Sequence, residues 1–338
     1  MIRSHIIPKF YLKQFSFKKP NKKHYVYLYE KGKKPEDRYI KNVAYELGYF
    51  GYVLPDGTVE ESMETKLAGL ERDCMDVLVN AQSDLFVFTR GNRRTMAFYA
   101  GLLHARTTQR LEWNKKEWLR IHQQLDEAIK DDDYADELAH HFGVKYGQTL
   151  TRQSIRHDIN ALIMRSATEE QGKNNFLEEL VNNANMIGEF LLDKQMRIWK
   201  APKGTQFVTS DNPLVTFVVL PHGEFAAGFG FRQKETIAFM PISPTRCVSF
   251  GGEGRDPIDQ FELKPEVMQR LNWLMMASSH QFVYAKTEDT AIQKLGDEII
   301  GTYIYGETAF VRIGPWPDVK DFMRLFLGVA ARSNKAGE

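Results

Sequence analysis

The chain changes character at QFVTSDNPLVTFVVL, residues 206–220, where apolar and polar residues begin to alternate. Alternation with a period of two is typical of a β-strand with one buried face. The same pattern returns in ETIAFMPISPTRCVSFG at 235–251 and in QFVYAK at 281–286, and a helical stretch at 265–278 separates these two. The sequence therefore predicts a β-rich α+β region over residues 201–338.

Residues 61–200 have a helical pattern instead. One apolar stripe at steps of three and four residues consists of Met63, Leu67, Leu70, Cys74 and Val77. A second stripe of the same spacing predicts a helix over about 175–197, and Thr89 is a candidate N-cap for a helix between the two. We expect this helical region to pack against the β-rich region.

The first 60 residues are aromatic and strand-like. HYVYLYE at 24–30 alternates and leads into a turn, and Pro-Asp-Gly at 55–57 is a second turn signal. The opening RSHIIPKFYLKQF at 3–15 is too apolar for a frayed terminus and indicates a docked segment. The predicted fold is α+β: a helical lobe against a mainly antiparallel β-rich lobe, with an N-terminal β element docked on the core of one integrated domain.

Composition limits the classes of function. The 338 residues hold 45 Lys and Arg against 44 Asp and Glu, a net charge of +1, which argues mildly against extensive contact with duplex nucleic acid. Cys74 and Cys247 lie far apart and match no disulfide or zinc spacing. The N-terminus does not have the apolar core of a signal peptide, and no stretch approaches the length of a membrane span. We expect a cytoplasmic protein without a membrane partner.

The common catalytic motifs are absent: no phosphate-binding loop, dinucleotide fingerprint, HExxH or GxSxG occurs. Four other polar sites stand out. His5 lies in the opening segment, Glu64 and Glu71 share one helix face, Arg106 lies close to an apolar stripe, and Asp211 lies in the turn TSDNP. Each also has a structural interpretation. His5 would belong to a docked N-terminal plug, and the two glutamates would be solvated charges. Arg106 would pair with a buried carboxylate, and Asp211 would cap its own turn.

These segments occur in a recognisable order. They are HxxPxxYLxxF at 5–15, KNVAYELGYF at 41–50, ExxLAxxE at 64–71, ART at 105–107, TSDNP at 209–213 and MPISP at 240–244. Together they resemble a bacterial family catalogued as domain of unknown function 4238, over about residues 5–285. The family has no assigned activity. The resemblance implies that the following residues fall on the family pattern: His5, Pro8, Tyr11, Leu12, Phe15, Glu71, Arg106, Asp211, Asn212, Pro213 and Asn272.

The pattern leads to a working hypothesis about function. We expect His5, Glu71, Arg106 and Asp211 to meet in one polar cleft and to hydrolyse a phosphodiester, as in a nuclease. The two acids would hold a divalent ion, Mg²⁺ or Mn²⁺, His5 would move a proton, and Arg106 would neutralise developing negative charge. On this hypothesis Asp211→Ala abolishes activity and leaves the melting temperature nearly unchanged.

Three further residues are assigned with the cleft. Asn212 joins the catalytic group, and Tyr11 and Asn272 are predicted to bind substrate. Nucleic acid or a nucleotide is the expected partner. The lysine-rich KKPNKK at 18–23 and RGNRR at 90–94 either guide a single strand or form solvated loops.

Other classes of function stay open. A non-enzymatic binding protein would use the Tyr-rich N-terminal hairpin and the Phe-rich β lobe as its contact surface. A transferase that uses NAD would hold ribose and phosphate with His5 and Arg106. A defence or toxin-type effector would fit a nuclease activity.

Overall fold

A computed structural model describes residues 2–219, 225–227, 230–253 and 260–302. The architecture is α+β, as predicted. The sequence also predicts a C-terminal helix after Trp316 and Pro317, and this segment lies outside the described residues. None of the helices among the described residues is both long enough and apolar enough to span a bilayer.

The N-terminal segment consists of short strands around one short helix. Its elements are β1 (Arg3–His5), α1 (Lys9–Gln14), β2 (Phe17–Lys18), β3 (His24–Glu30), β4 (Glu36–Tyr39), a 3₁₀ turn (Ile40–Asn42), β5 (Tyr45–Leu47), β6 (Tyr52–Val53) and β7 (Val59–Glu60). β1 pairs with β5, and β6 pairs with β7 across the predicted Pro-Asp-Gly turn, both antiparallel. Gly57 in that turn has a φ of +81°, which a side chain would disfavour.

Six helices follow: α2 (Ser62–Asn80), α3 (Arg90–Ala105), α4 (Thr108–Ala128), α5 (Asp132–Tyr146), α6 (Arg152–Ser166) and α7 (Glu169–Leu192). Thr89 caps α3 as predicted, because its side-chain oxygen accepts the backbone N–H of Asn92. The prediction that α7 continues to residue 197 was wrong. The chain enters strand β8 (Lys194–Lys200) instead, where pairing on both edges outweighs local helical spacing.

Helices α3 and α7 approach closely through small residues. A Cβ atom on Gly101 would overlap the carbonyl oxygen of Ala184, and one on Gly188 would lie 3.1 Å from the Cα of Phe98. The glycines therefore permit backbone contact between the two helices. This packing fixes the position of α3, which carries Tyr99 and ends beside Arg106.

The β-rich region continues from β8 with β9 (Thr209–Ser210), β10 (Val215–Val219), β11 (Phe225–Ala227), β12 (Ile237–Ser243), β13 (Arg246–Glu253), β14 (Gln260–Glu262), α8 (Pro265–Ala277), β15 (Phe282–Ala285) and α9 (Thr290–Ile299). One sheet has the order β11-β10-β12-β13-β8-β14. A second sheet has the order β2-β3-β15-β9. Strand β4 also pairs with β3, on the edge opposite β15. The predicted strand at 206–220 is therefore divided, since β9 and β10 belong to different sheets.

Pairing of β3 with β15 joins the two ends of the described chain. The largest core cluster draws buried side chains from the N-terminal, helical and β-rich segments, such as Leu12, Leu102 and Met240. The docked N-terminus predicted from residues 3–15 is explained by this core, in which Tyr11, Leu12 and Phe15 are fully buried.

Candidate functional site

Three of the predicted residues meet around the guanidinium of Arg106. Its Nη1 donates to Oε1 of Glu71 at 2.5 Å, and its Nη2 donates to the backbone carbonyl of His5 at 2.6 Å. The Arg106 side chain is only 2% exposed and lies 4.9 Å from the ring centre of Phe50. Arg106 therefore fastens β1 to α2 through one charged and one neutral acceptor.

Helical spacing explains why these groups share one location. Glu64 and Glu71 lie seven residues apart on α2, and Tyr99 and Arg106 lie seven apart at α3 and its C-cap. Seven residues make about two turns, so each pair lies on one face of its helix. The two faces meet at Arg106, which contacts Glu71 on α2 and the backbone carbonyl of His5 on β1.

Several buried atoms in this cluster have no hydrogen-bond partner among the described residues. They are Nε2 of His5, Oε1 of Glu64, the hydroxyl of Tyr99 and Nε of Arg106. Burial raises the pKa of Glu64. Burial, followed by the charge of Lys9, lowers the pKa of His5 to about 4, so its imidazole is neutral at pH 7.

Asp211 has a different environment. Its carboxylate accepts the backbone N–H groups of His280, Gln281 and Phe282 at 2.7, 2.7 and 2.8 Å. Burial raises the pKa of this carboxyl, and the three amide donors oppose that rise. Asp211 thus anchors the chain as it enters β15.

The predicted convergence is therefore only partly present. No hydrogen bond or ion pair of the described residues joins Asp211 to the groups around Arg106, and the carboxylates of Glu71 and Asp211 bind different partners. Across the described ranges, no group of three or more His, Cys, Asp and Glu side chains could hold a metal ion. The geometry does not give Glu71 and Asp211 a shared ion.

Asn212 and Tyr11 also hold the segment around β9 in place. Nδ2 of Asn212 donates to Oε1 of Gln109 and to the carbonyl of Ser278, at 3.1 and 3.0 Å. The hydroxyl of Tyr11 donates to the carbonyl of Pro241 at 2.6 Å and lies 2.8 Å from the hydroxyl of Thr209. Both side chains are buried, so their polar atoms connect distant segments of the fold.

Asn272 has a similar structural role and also reaches a cavity. Its Nδ2 donates to the carbonyl of Gln206, and its Oδ1 accepts the N–H of Val208. The side chain lines a cavity of about 510 Å³ beside α8 and α9, with Met268 and Leu295 among its apolar neighbours. Of the two predicted substrate-binding residues, Asn272 thus lines an open cavity, whereas Tyr11 is fully buried.

A second feature was missed by the sequence analysis. A cavity of about 390 Å³ lies between α1, the β2–β3 turn and the 3₁₀ turn, and five exposed lysines line it: Lys9, Lys13, Lys22, Lys23 and Lys41. None of the described residues in its wall is acidic. We call it the lysine cavity. The positive charge of Lys9, in the wall of this cavity, also lowers the pKa of the His5 imidazole. The cavity therefore lies close to the Arg106 cluster.

A row of half-buried aromatic rings leads into the lysine cavity. Tyr27 stacks on Phe17 at 5.1 Å, Phe17 lies 6.2 Å from Tyr25, and Tyr25 lies 5.7 Å from Tyr39, between ring centres. We call these four rings the aromatic row. Tyr39 also lines the lysine cavity. The row and the cavity therefore form one continuous surface on the N-terminal sheet.

Lysine ammonium groups lie over the rings of this row. Nζ of Lys19 is 4.5 Å from the ring centre of Tyr25, and those of Lys23 and Lys41 are 5.4 and 6.0 Å from that of Tyr39. Cations over aromatic faces are attracted by the ring quadrupole. The surface combines flat apolar faces with positive charge, and the one carboxylate among these contacts, that of Asp37, pairs with Lys19.

A signal for this surface was present in the sequence. Residues 1–42 hold twelve Lys and Arg against three Asp and Glu, while the rest of the chain holds 33 against 41. The near-zero net charge conceals this asymmetry. Of the two basic clusters considered, KKPNKK contributes to the lysine cavity. RGNRR begins α3, where Arg94 pairs with Glu189.

Comparison with known proteins agrees with the resemblance noted from the motifs. A family model described as protein of unknown function (DUF4238) matches residues 3–289. Neither a curated protein nor a solved structure matches the chain.

Proposed function

We propose that this chain, which belongs to the DUF4238 family, binds single-stranded nucleic acid on the aromatic row and the lysine cavity. The observation that carries this proposal is the continuity of the two features through Tyr39, whose ring centre lies 5.7 Å from that of Tyr25 and which also lines the cavity. Bases would stack on the rings, and lysines would contact the phosphates.

The chemistry favours a single strand over a duplex. Stacking on aromatic side chains requires exposed base faces, which a duplex hides between its own base pairs. The excess of acidic residues after residue 42 repels phosphate elsewhere on the chain and confines a strand to the N-terminal sheet. The opposite face of β3 cannot contact a strand, because its residue Val26 is buried in the core.

Lys22→Ala combined with Lys23→Ala should weaken binding of a labelled single strand. Loss of two phosphate contacts should lower affinity by about tenfold or more near 0.1 M salt and reduce the salt slope by about 1.4, which is about 0.7 for each contact. Fluorescence anisotropy over a salt series measures both quantities. Lys31→Ala with Lys33→Ala, in the exposed turn before β4, is the matched control and should change affinity little. Equal weakening by both pairs would indicate non-specific attraction and contradict the proposal.

We also propose phosphodiester hydrolysis at the edge of the lysine cavity. It is favoured by the imidazole of His5, whose Nε2 has no hydrogen-bond partner among the described residues. Nε2 would take a proton from water as the water oxygen bonds to phosphorus. The bond from phosphorus to the leaving oxygen would break, and that oxygen would receive the proton. Nε2 is shielded in this structure, so the ring must rotate towards the cavity.

In this reaction Arg106 is a positioning residue. Its guanidinium is occupied by Glu71 and the His5 carbonyl, so lysines such as Lys9 would stabilise negative charge on the phosphate. We assign no ion to Glu71 and Asp211, because they bind different partners.

His5→Ala should lower cleavage of single-stranded RNA or DNA by at least about a hundredfold, the usual contribution of a general base. Binding to the strand should remain, because the lysine cavity is intact. Product formation is followed on gels with Mg²⁺, Mn²⁺ or EDTA, and retained cleavage in EDTA would exclude the divalent ion expected from the sequence. His141→Ala, on the exposed face of α5, is the control. Undiminished cleavage by His5→Ala would remove His5 from the mechanism.

A further inference from the structure

We infer that the lysine cavity takes a terminal phosphate of the bound strand, a phosphomonoester at its 5′ or 3′ end. This inference rests on the proposed binding of single-stranded nucleic acid. It adds a position for the end of the strand and a preferred class of ligand.

Charge separates a terminal phosphate from an internal one. An internal phosphodiester carries one negative charge, whereas a phosphomonoester carries between about −1.5 and −2 at pH 7. Five lysines from three separate segments face the lysine cavity, with no acidic residue among the described residues of its wall. Such a concentration of positive charge suits the more highly charged group.

The shape of the surface also favours an end. The aromatic row runs from Tyr27 to Tyr39, where the lysine cavity begins. Beyond Tyr39 the cavity wall is formed by α1 and the 3₁₀ turn, which pack against each other. A strand stacked on the row would therefore meet this wall at the cavity.

The turn that supplies two of the lysines is unusual. Lys22 has a φ of +60°, in the left-handed region that glycine or asparagine normally occupies. The turn is held by the N–H of Lys22, which donates to the carbonyl of Lys19, and by the N–H of Lys23, which donates to Oδ1 of Asn21. Lysine is energetically unfavourable in this backbone conformation. Its presence there is consistent with a role for its side chain at the cavity.

The test compares DNA strands of one sequence with a 5′-phosphate, a 3′-phosphate or no terminal phosphate. A fourth strand is one nucleotide longer and unphosphorylated, so that it adds one charge without a monoester. We expect one or both phosphorylated forms to bind at least about fivefold more tightly than either unphosphorylated strand, as an added lysine contact would give. The better end also fixes the polarity of the strand on the aromatic row.

Variants locate the effect. Lys22→Ala with Lys23→Ala should abolish the preference for a terminal phosphate. Tyr27→Leu should weaken all four strands equally and keep the preference, and Lys31→Ala with Lys33→Ala should change neither. Equal binding of all four strands would overturn the inference and leave single-strand binding intact. Failure of every strand to bind would overturn the proposed function as well.

Discussion

Asp211→Ala is expected to lower the free energy of unfolding by about 3–5 kcal/mol, the range for removing one partner of a buried charged interaction. The substitution leaves the N–H groups of His280, Gln281 and Phe282 without their acceptor at the entry to β15. Water cannot readily replace it, because Asp211 is 8% exposed. Chemical denaturation followed by circular dichroism measures the change.

This expectation reverses the one drawn from the sequence, in which the melting temperature stays nearly unchanged. Asp211→Asn should lie between the wild type and the alanine variant, since its amide keeps one acceptor oxygen. Asp158→Ala, on an exposed position of α6, is the control and should stay within about 0.5 kcal/mol of the wild type. A stable Asp211→Ala protein that has lost activity would restore the catalytic interpretation.

Elements specified by neighbouring residues were predictable. The cap at Thr89 depends on a side chain within one turn of the affected backbone. The end of α7 was not predictable, because β8 is stabilised by pairing with the distant strands β13 and β14. The pairing of β3 with β15 joins residues some 250 positions apart and leaves no local signal.

The residues of the candidate site likewise include some that the sequence predicts and some that it does not. Helical spacing predicted that Glu71 would share a face with Glu64, and pairing with a buried carboxylate was one of two interpretations of Arg106. Asp211 was predicted as part of the same cluster because it falls on the family pattern together with His5, Glu71 and Arg106. Its actual partners lie about 70 residues away, beyond the reach of a motif.

The lysine cavity was missed for a different reason. Its lysines come from α1, the β2–β3 turn and the 3₁₀ turn, and no single segment is a recognised binding motif. Charge counted along the chain in segments, instead of over its whole length, would have identified residues 1–42 as strongly basic. Only the folded structure shows which of these lysines line the wall of the same cavity.

Arg106→Leu is expected to destabilise the protein by about 3–5 kcal/mol and to release β1 from the core. The variant removes the donor to the His5 carbonyl and the partner of Glu71. Glu71 is 20% exposed and can recover water, so most of the loss should come from the carbonyl and from lost packing on Phe50. Hydrogen exchange should report faster exchange at residues 3–5, and denaturation measures the energy.

The same helix supplies a matched control. Arg94→Leu removes an exposed pair with Glu189, whose side chains are 76% and 64% exposed, and such pairs contribute about 0–1 kcal/mol. In a double-mutant cycle, Glu71→Gln should cost less in the Arg106→Leu background than in the wild type, because the two side chains interact directly. If Arg106→Leu is as stable as Arg94→Leu, the guanidinium does not fasten β1. Arg106 would then be available to bind an anionic ligand, as the hypothesis drawn from the sequence requires.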